Sequence, residues 1–321
     1  MGLGIGALAL GAVLLLLGTD SLHKGIAALA SALGLGSYAT AFVMFAAGGV
    51  VPVAALAIAA LHGGQGGLAF GTMVGANVGS FCVIPAFAIA CAPFVPRWRL
   101  ARRLSWLYAI FVAIFAILAW DGRLAAFDAV LLLVLGGALL VVLLEHAPRE
   151  LAEVRTSLAA GAATRGGAWR TAVRLALGGV LTGFGAYEAS GAATALASAW
   201  GWSAASAGLI LLGPVVVLTD LAGILLAALR GQADPVLAAL LAGGAFRLTV
   251  SLAPALFWHP LDVPLAVLPV WMPALALPVL ALSVVRRGPS ARSRATAYAL
   301  AGVWLVLLVW QGLHAGAVAA A

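Results

Sequence analysis

The sequence predicts an all-α integral membrane protein with about ten transmembrane helices in two inverted five-helix repeats. Three observations predict it. Of the 321 residues, 64% are hydrophobic and only 8% charged, whereas soluble domains carry about 25% charged residues. Apolar stretches of about 20 residues, the length that crosses a bilayer, recur between short polar breaks. Matching segments of the two halves stand at one constant offset. The mean hydropathy of +1.16 excludes a single water-soluble core.

The apolar stretches read as helices at 2–33, 38–62, 68–92, 103–120, 125–146, 169–200, 204–229, 235–258, 263–285 and 296–317. The first and sixth are long, so they are expected to tilt or to extend past the bilayer. These spans divide the chain into a first repeat at 1–147, a polar linker at 148–168 and a second repeat at 169–321. The linker holds Arg149, Glu150, Glu153, Arg155 and Arg165. It is too short for a regulatory domain and reads as a short amphipathic segment with a flexible Gly/Ala stretch. Glycine is abundant, at 39 residues, and in lipid small residues let helix backbones approach closely.

The basic residues order the topology. Arg97, Arg99, Arg102 and Arg103 lie between spans three and four. Arg149, Arg155, Arg165, Arg170 and Arg174 lie in or beside the linker, Arg230 follows span seven, and Arg286, Arg287, Arg292 and Arg294 separate spans nine and ten. With alternating spans all fall on one side, and the other side has Arg123. The positive-inside rule then places both termini outside and the linker in the cytoplasm of a cell with this protein in its plasma (inner) membrane. Trp120, Trp200, Trp202 and Trp258 fall near outer helix ends and Trp98 and Trp169 near inner ones, as an aromatic belt requires. The net charge of +7 is thus a topology signal, and nucleic acid is not an expected partner. The lipid bilayer and small inorganic cations are.

Several chemistries are not expected. Cys82 and Cys91 share one apolar stretch, which argues against a disulfide framework or a cysteine metal site. The first basic residue is Lys24, so no cleavable signal peptide is expected. Gly2, Gly4 and Gly6 lie in an apolar helix without the strand that a dinucleotide loop needs. No nucleophile–base set and no His/Glu metal cluster is evident, so neither an enzyme nor a resident cofactor is expected.

The repeats emerge at an offset of 167. Ala28-Leu29-Ala30-Ser31-Ala32-Leu33-Gly34 matches Ala195-Leu196-Ala197-Ser198-Ala199-Trp200-Gly201, and Gly64-Gln65 matches Gly231-Gln232 without a gap. Five spans separate the matching segments. An odd number inserts the second half upside down, the inverted-repeat plan of many secondary transporters.

At these repeats the sequence resembles the calcium/cation antiporter superfamily, the sodium/calcium exchanger membrane domain. The segment Leu68 to Ser80, which includes Gly75-Ala76-Asn77-Val78-Gly79-Ser80, is similar to the end of the family's first alpha-repeat. Gly48-Gly49-Val50-Val51-Pro52-Val53 occupies the place of its glycine-threonine-serine-x-proline-glutamate. Leu218-Thr219-Asp220-Leu221 resembles the matching acidic segment of the second repeat, and Ala242 to Arg247 takes the second glycine-serine-asparagine position. The resemblance covers most of the chain. It implies ten spans, alternating access at a midplane site, and exchange of Na+, Ca2+ or H+. Calcium takes six to eight oxygens, several of them anionic. Two facing acids, with carbonyls freed at Gly and Pro breaks near Gly48, Gly49, Pro52 and Thr219, would provide them.

The centre departs from that pattern. The first acidic position is Val53 and the second Asp220; the asparagine positions are Ser80 and Arg247. The hydroxyl ligand positions are Gly49 and Val50 in one repeat, Val216 and Val217 in the other. One carboxylate and one guanidinium give a formal site charge near zero, so altered or lost calcium selectivity is expected. Asp220 reads either as the carrier of an ion or proton or as the structural partner of Arg247. Arg247 reads as that partner, as a tethered cation in place of a transported one, or as an anion-binding group. Asn77 and Ser80 offer ligand oxygens or helix–helix hydrogen bonds. Asp20 and Lys24, four apart, form a helical pair near the cytoplasmic side. Glu188 reads as an interfacial group or part of a proton path, and His62, His259 and His314 as interface residues. Two functions remain: a secondary cation antiporter, or a non-transporting membrane scaffold that keeps the exchanger fold.

Overall fold

Chain alternation dictates where the loops gather, and the computed structural model, which describes residues 2–32, 37–91, 98–145, 167–229, 233–263, 271–276 and 291–314, shows it. Helices run Gly2–Ala32, Ser37–His62, Gly66–Cys91, Trp98–Leu118, Ala126–Glu145 and Ala168–Trp200 as spans one to six. Span seven joins Ala204–Ala207 and Gly213–Leu229, and span eight joins Ala233–Phe246 and Ala253–Leu256. Helix Ala291–His314 is span ten. Predicted and observed ends agree within about five residues, the scatter expected for helix termini. Most of span nine and nearly all of the linker lie outside the described residues.

Connections of both repeats gather at one face. There Gly66 packs on Leu261 and Asp262, and Gly4 on the side chain of Leu196. Gln311 Nε2 donates to Ser206 Oγ at 2.8 Å. A two-stranded bridge, β1 (Arg123–Leu124) against β2 (Leu261–Asp262), is antiparallel with Arg123 opposite Asp262. The two–three, four–five, six–seven and eight–nine connections, the start of span one and the end of span ten therefore share a face. Ten alternating spans require this arrangement.

Spans one and six cross antiparallel with their backbones in contact. A Cβ on Gly11 would stand 2.7 Å from the backbone nitrogen of Ala189, and one on Gly18 would stand 2.6 Å from that of Thr182. In return, a Cβ on Gly178 would stand 2.8 Å from Leu22 N and one on Gly185 2.8 Å from Leu15 N. Gly178 and Gly185 follow Gly11 and Gly18 at the repeat offset. The contact is thus two-fold symmetric, as an inverted repeat demands. Large apolar side chains such as Leu10, Leu17, Val180, Phe184, Val306 and Val309 face outward, a surface suited to lipid rather than water.

Spans two, three, seven and eight form the centre. Span three and span seven touch backbone to backbone: a Cβ on Gly71 would fall 2.0 Å from Ala205 O and one on Gly208 2.3 Å from Leu68 O. Span four closes one side, where the Phe81 and Tyr108 rings meet edge to face at 4.7 Å. The halves are not identical. Span seven contains a π-helical stretch at Gly208–Leu212 and span eight one at Arg247–Ser251. Spans two and three are α-helical at the equivalent positions.

Candidate functional site

Four polar side chains meet in the apolar centre, and they come from both repeats. Span three supplies Asn77 and Ser80, both fully buried. Span seven supplies Asp220, and span eight supplies Arg247. Arg247 is the largest fully buried side chain of the described residues, at 1% exposure. An unpaired charge at that depth costs several kcal/mol, so its partners decide whether the fold tolerates it.

It has two of them. Arg247 Nη1 donates to Asp220 Oδ2 in an ion pair. Arg247 Nε donates to Asn77 Oδ1 at 3.2 Å. The same Asp220 Oδ2 accepts from Ser80 Oγ at 2.6 Å. Asn77 is held in turn by its Nδ2, 3.8 Å from Met73 Sδ. The other carboxylate oxygen, Asp220 Oδ1, faces Gly49 of span two. A Cβ there would stand 3.7 Å from Oδ1 and 3.9 Å from Arg247 Nη1, both ordinary contacts. Glycine at position 49 therefore leaves space for one small group beside the carboxylate.

Local backbone chemistry prepares the site. Pro52 has no N–H, so the carbonyl of Gly48 one turn earlier loses its helical donor. The helix Ser37–His62 nevertheless runs through Gly48, Gly49 and Pro52, and Thr219 sits inside helix Gly213–Leu229 with its hydroxyl donating to Val216 O at 2.7 Å. The anticipated helix breaks at these four residues are not where regular structure is lost. It is lost at the two π-helical stretches. One begins at Arg247 itself, whose carbonyl accepts from Ser251 Oγ. A π-turn inserts a residue without leaving the helix, which re-aims the side chain at its start. Periodicity carries no sign of it, because the apolar pattern continues on both sides.

Val53 is buried but lies one turn beyond Gly49, the position of span two that faces Asp220. Asp20 and Lys24 pair as expected, in an exposed i, i+4 contact. Glu188 lies away from the cluster, in a cavity of about 530 Å³ with His62, Gln65, Ser190 and Thr194. No group of three or more His, Cys, Asp or Glu residues suited to a metal ion occurs among the described residues. The central cluster holds one carboxylate and two neutral side-chain oxygens, with the carboxylate and the Asn77 oxygen both bonded to Arg247.

Comparison with known proteins bears on what such a cluster serves. The family model described as sodium/calcium exchanger protein matches residues 3–144 and 171–313, one block in each repeat. No curated protein matches the sequence significantly. Among solved structures, the sodium-calcium exchanger NCX_Mj soaked with 2.5 mM Na+ and 1 mM Sr2+ superposes with a TM-score of 0.65 at 20% identity. NCX_Mj soaked with 10 mM Na+ and 10 mM Sr2+ gives 0.64 at 19% identity, and NCX_Mj with zero Na+ and Ca2+ gives 0.60 at 20% identity. Each pairing covers 96% of this chain and 98% of that one. At this identity the likeness shows a common fold.

Proposed function

The chain belongs to the sodium/calcium exchanger protein family, and we propose that it is a secondary cation antiporter in which Asp220 carries the exchanged ion. The carrying observation is the position of Asp220. It is an acid in the middle of an apolar span, bonded to Ser80 of the other repeat, at the junction where inverted-repeat transporters hold their substrates. Its second oxygen, Oδ1, faces Gly49, where the lack of a side chain leaves room for a methyl-sized group.

The cluster favours a cargo of charge +1. With Arg247 in place the site is neutral, so adding Ca2+ would leave two positive charges in excess in a low-dielectric interior, which is unfavourable. Na+ or H+ leaves an excess of one charge rather than two while Arg247 stays in the centre, and is the less costly cargo. Ser80 and Asn77 supply neutral oxygens, and the freed carbonyl of Gly48 is a further ligand. Arg247 sets the charge balance and, when displaced from Asp220, keeps its bond from Nε to Asn77. Inverted symmetry gives the alternate state, in which the site opens to the other face.

The orientation follows from charge. The face that carries the bridge, the start of span one and the end of span ten holds few basic residues, so it is assigned to the outside and the linker to the cytoplasm of the plasma (inner) membrane. A second reading, a scaffold that keeps the fold without transport, is favoured by the buried guanidinium standing where a cation would bind. Purified protein in liposomes, screened with Na+, Ca2+ and H+ gradients, decides between them. Coupled Na+ or H+ flux supports the antiporter. Folded, flux-silent protein supports the scaffold, and flux carried by Ca2+ overturns the argument from site charge.

A further inference from the structure

At the face where the loops gather, two histidines from opposite repeats lie side by side. His62 ends span two and His259 follows span eight, 197 residues later. Their ring centroids are 6.4 Å apart with the planes inclined by 66°. Both are exposed, so either ring turns at little cost. Between them lies a cavity of about 390 Å³, lined by both imidazoles with Ile58, Leu61, Ala255 and Trp258. His62 also borders the neighbouring cavity that contains Glu188 and Ser190. The Ser190 hydroxyl is buried there without a hydrogen-bond partner.

We propose that His62 and His259 form a two-imidazole site for a divalent transition-metal ion of the Zn2+, Cu2+ and Ni2+ class, bridging the two repeats. Imidazole suits these ions, whereas Na+ and Ca2+ prefer oxygen. The spacing fits. With metal–nitrogen bonds of about 2.0–2.1 Å, each ring centroid lies roughly 3.2 Å from the ion. Two rings on one metal then have centroids about 5 Å apart at a tetrahedral angle and about 6.4 Å apart when opposed. The observed pair stands at the open limit of that range, and a rotation of one exposed ring closes it.

Two protein ligands leave the remaining positions to water. The site therefore takes an ion reversibly from the medium and is not a structural centre, which would use four protein ligands. Glu188 lines the neighbouring cavity that His62 also borders, and its carboxylate adds negative charge at this face. A bound ion ties the end of span two to the segment after span eight. Those two spans flank the central cluster, so metal occupancy would hold the repeats together at this face. The inference does not depend on which cation the centre carries.

The test uses the full chain, purified without a histidine tag, in detergent. Zn2+ and Ni2+ are titrated while thermal unfolding is followed, with Ca2+ and Mg2+ as oxygen-preferring controls. A ligand that binds only the native state stabilises it by RT ln(1 + [L]/Kd), so the unfolding temperature climbs with the logarithm of concentration above Kd. The expected result is stabilisation by Zn2+ and Ni2+ that rises with concentration and that Ca2+ and Mg2+ do not give. It weakens about tenfold or more in His62→Ala and equally in His259→Ala; the remaining one-imidazole binding is lost in the double variant, and His314→Ala loses none. Electron paramagnetic resonance of the Cu2+ form should show two coordinated nitrogens, reduced to one by either substitution. Because both histidines are exposed, the variants should unfold at the parental temperature without metal. Undiminished Zn2+ affinity in either single variant, or no stabilisation of the parent by Zn2+ and Ni2+, overturns the proposal.

Discussion

Replacing Arg247 by methionine tests how the centre is held together. The guanidinium is 1% exposed and the Asp220 side chain 10% exposed, so solvent screens neither charge appreciably. Removing one member of such a pair leaves a buried charge without its counter-charge, at a cost of about 3–5 kcal/mol. Asp220 retains the hydroxyl of Ser80 at 2.6 Å, which places the expected loss near the lower end. At about 2 °C per kcal/mol for a chain of this size, Arg247→Met should unfold about 6 °C below the parent. Asp220→Asn should lose a similar amount, since it strands the guanidinium. The double variant, Asp220→Asn with Arg247→Met, contains no buried charge and should recover to parental stability or about 1–4 kcal/mol beyond it. The assay is thermal unfolding in one detergent at one scan rate, because membrane proteins often unfold irreversibly and then only matched scans compare. Independent sites add to within about 0.3–0.5 kcal/mol, so the expected coupling stands far above the additivity error. Additive losses, or an Arg247→Met variant as stable as the parent, would refute the claim that the pair neutralises itself in a water-poor centre.

Three further outcomes follow. Gly18→Leu should destabilise by about 1–3 kcal/mol or more through overpacking, since even a Cβ would meet Thr182 and Gly178 backbone at 2.6–2.9 Å; Gly183→Ala, with nothing within 4 Å, should be neutral or slightly stabilising in the same thermal assay. Arg247→Asn combined with Val53→Glu removes the competing cation and adds an acid one turn from Gly49, so the variant should gain calcium-dependent thermal stabilisation that the parent lacks. On a background without Cys82 and Cys91, single cysteines at Gly66, Asp121 and Asp262 should react with an impermeant reagent from outside, and those at Arg99, Gly161 and Ser290 should not; reversed labelling removes the assigned orientation.

The large-scale plan was legible in the residues because lipid imposes it. A bilayer demands long apolar stretches, and polar breaks such as Gly63-Gly64-Gln65 and Gly201-Trp202-Ser203 mark their ends. The inverted relation was legible from the offset, and the crossing at Gly11, Gly18, Gly178 and Gly185 obeys the same offset. The meeting of Asp220, Ser80, Arg247 and Asn77 was legible too, because charged and amide groups in apolar spans must find one another. Other features left no pattern. The π-turn at Arg247 adds a residue without disturbing hydrophobicity. The pairing of Arg123–Leu124 with Leu261–Asp262 involves two residues per strand, too few for alternation to show. That Gly49, rather than Val53, faces Asp220 depends on the rotation of span two about its axis. His62 and His259 read singly as interface residues; only the tertiary fold makes them a pair.

The most direct test of the transport reading is coupled flux through Asp220→Asn. Parental protein and the variant are reconstituted at equal density, with folding checked by a matched elution profile and flux measured well below the variant's lower unfolding temperature. Cation uptake is then driven by an opposing Na+ or H+ gradient. If Asp220 carries the ion, the parent exchanges and the folded variant does not, because asparagine cannot offset a cation's charge or bind and release a proton at this site. Undiminished exchange by a folded Asp220→Asn variant would contradict the account.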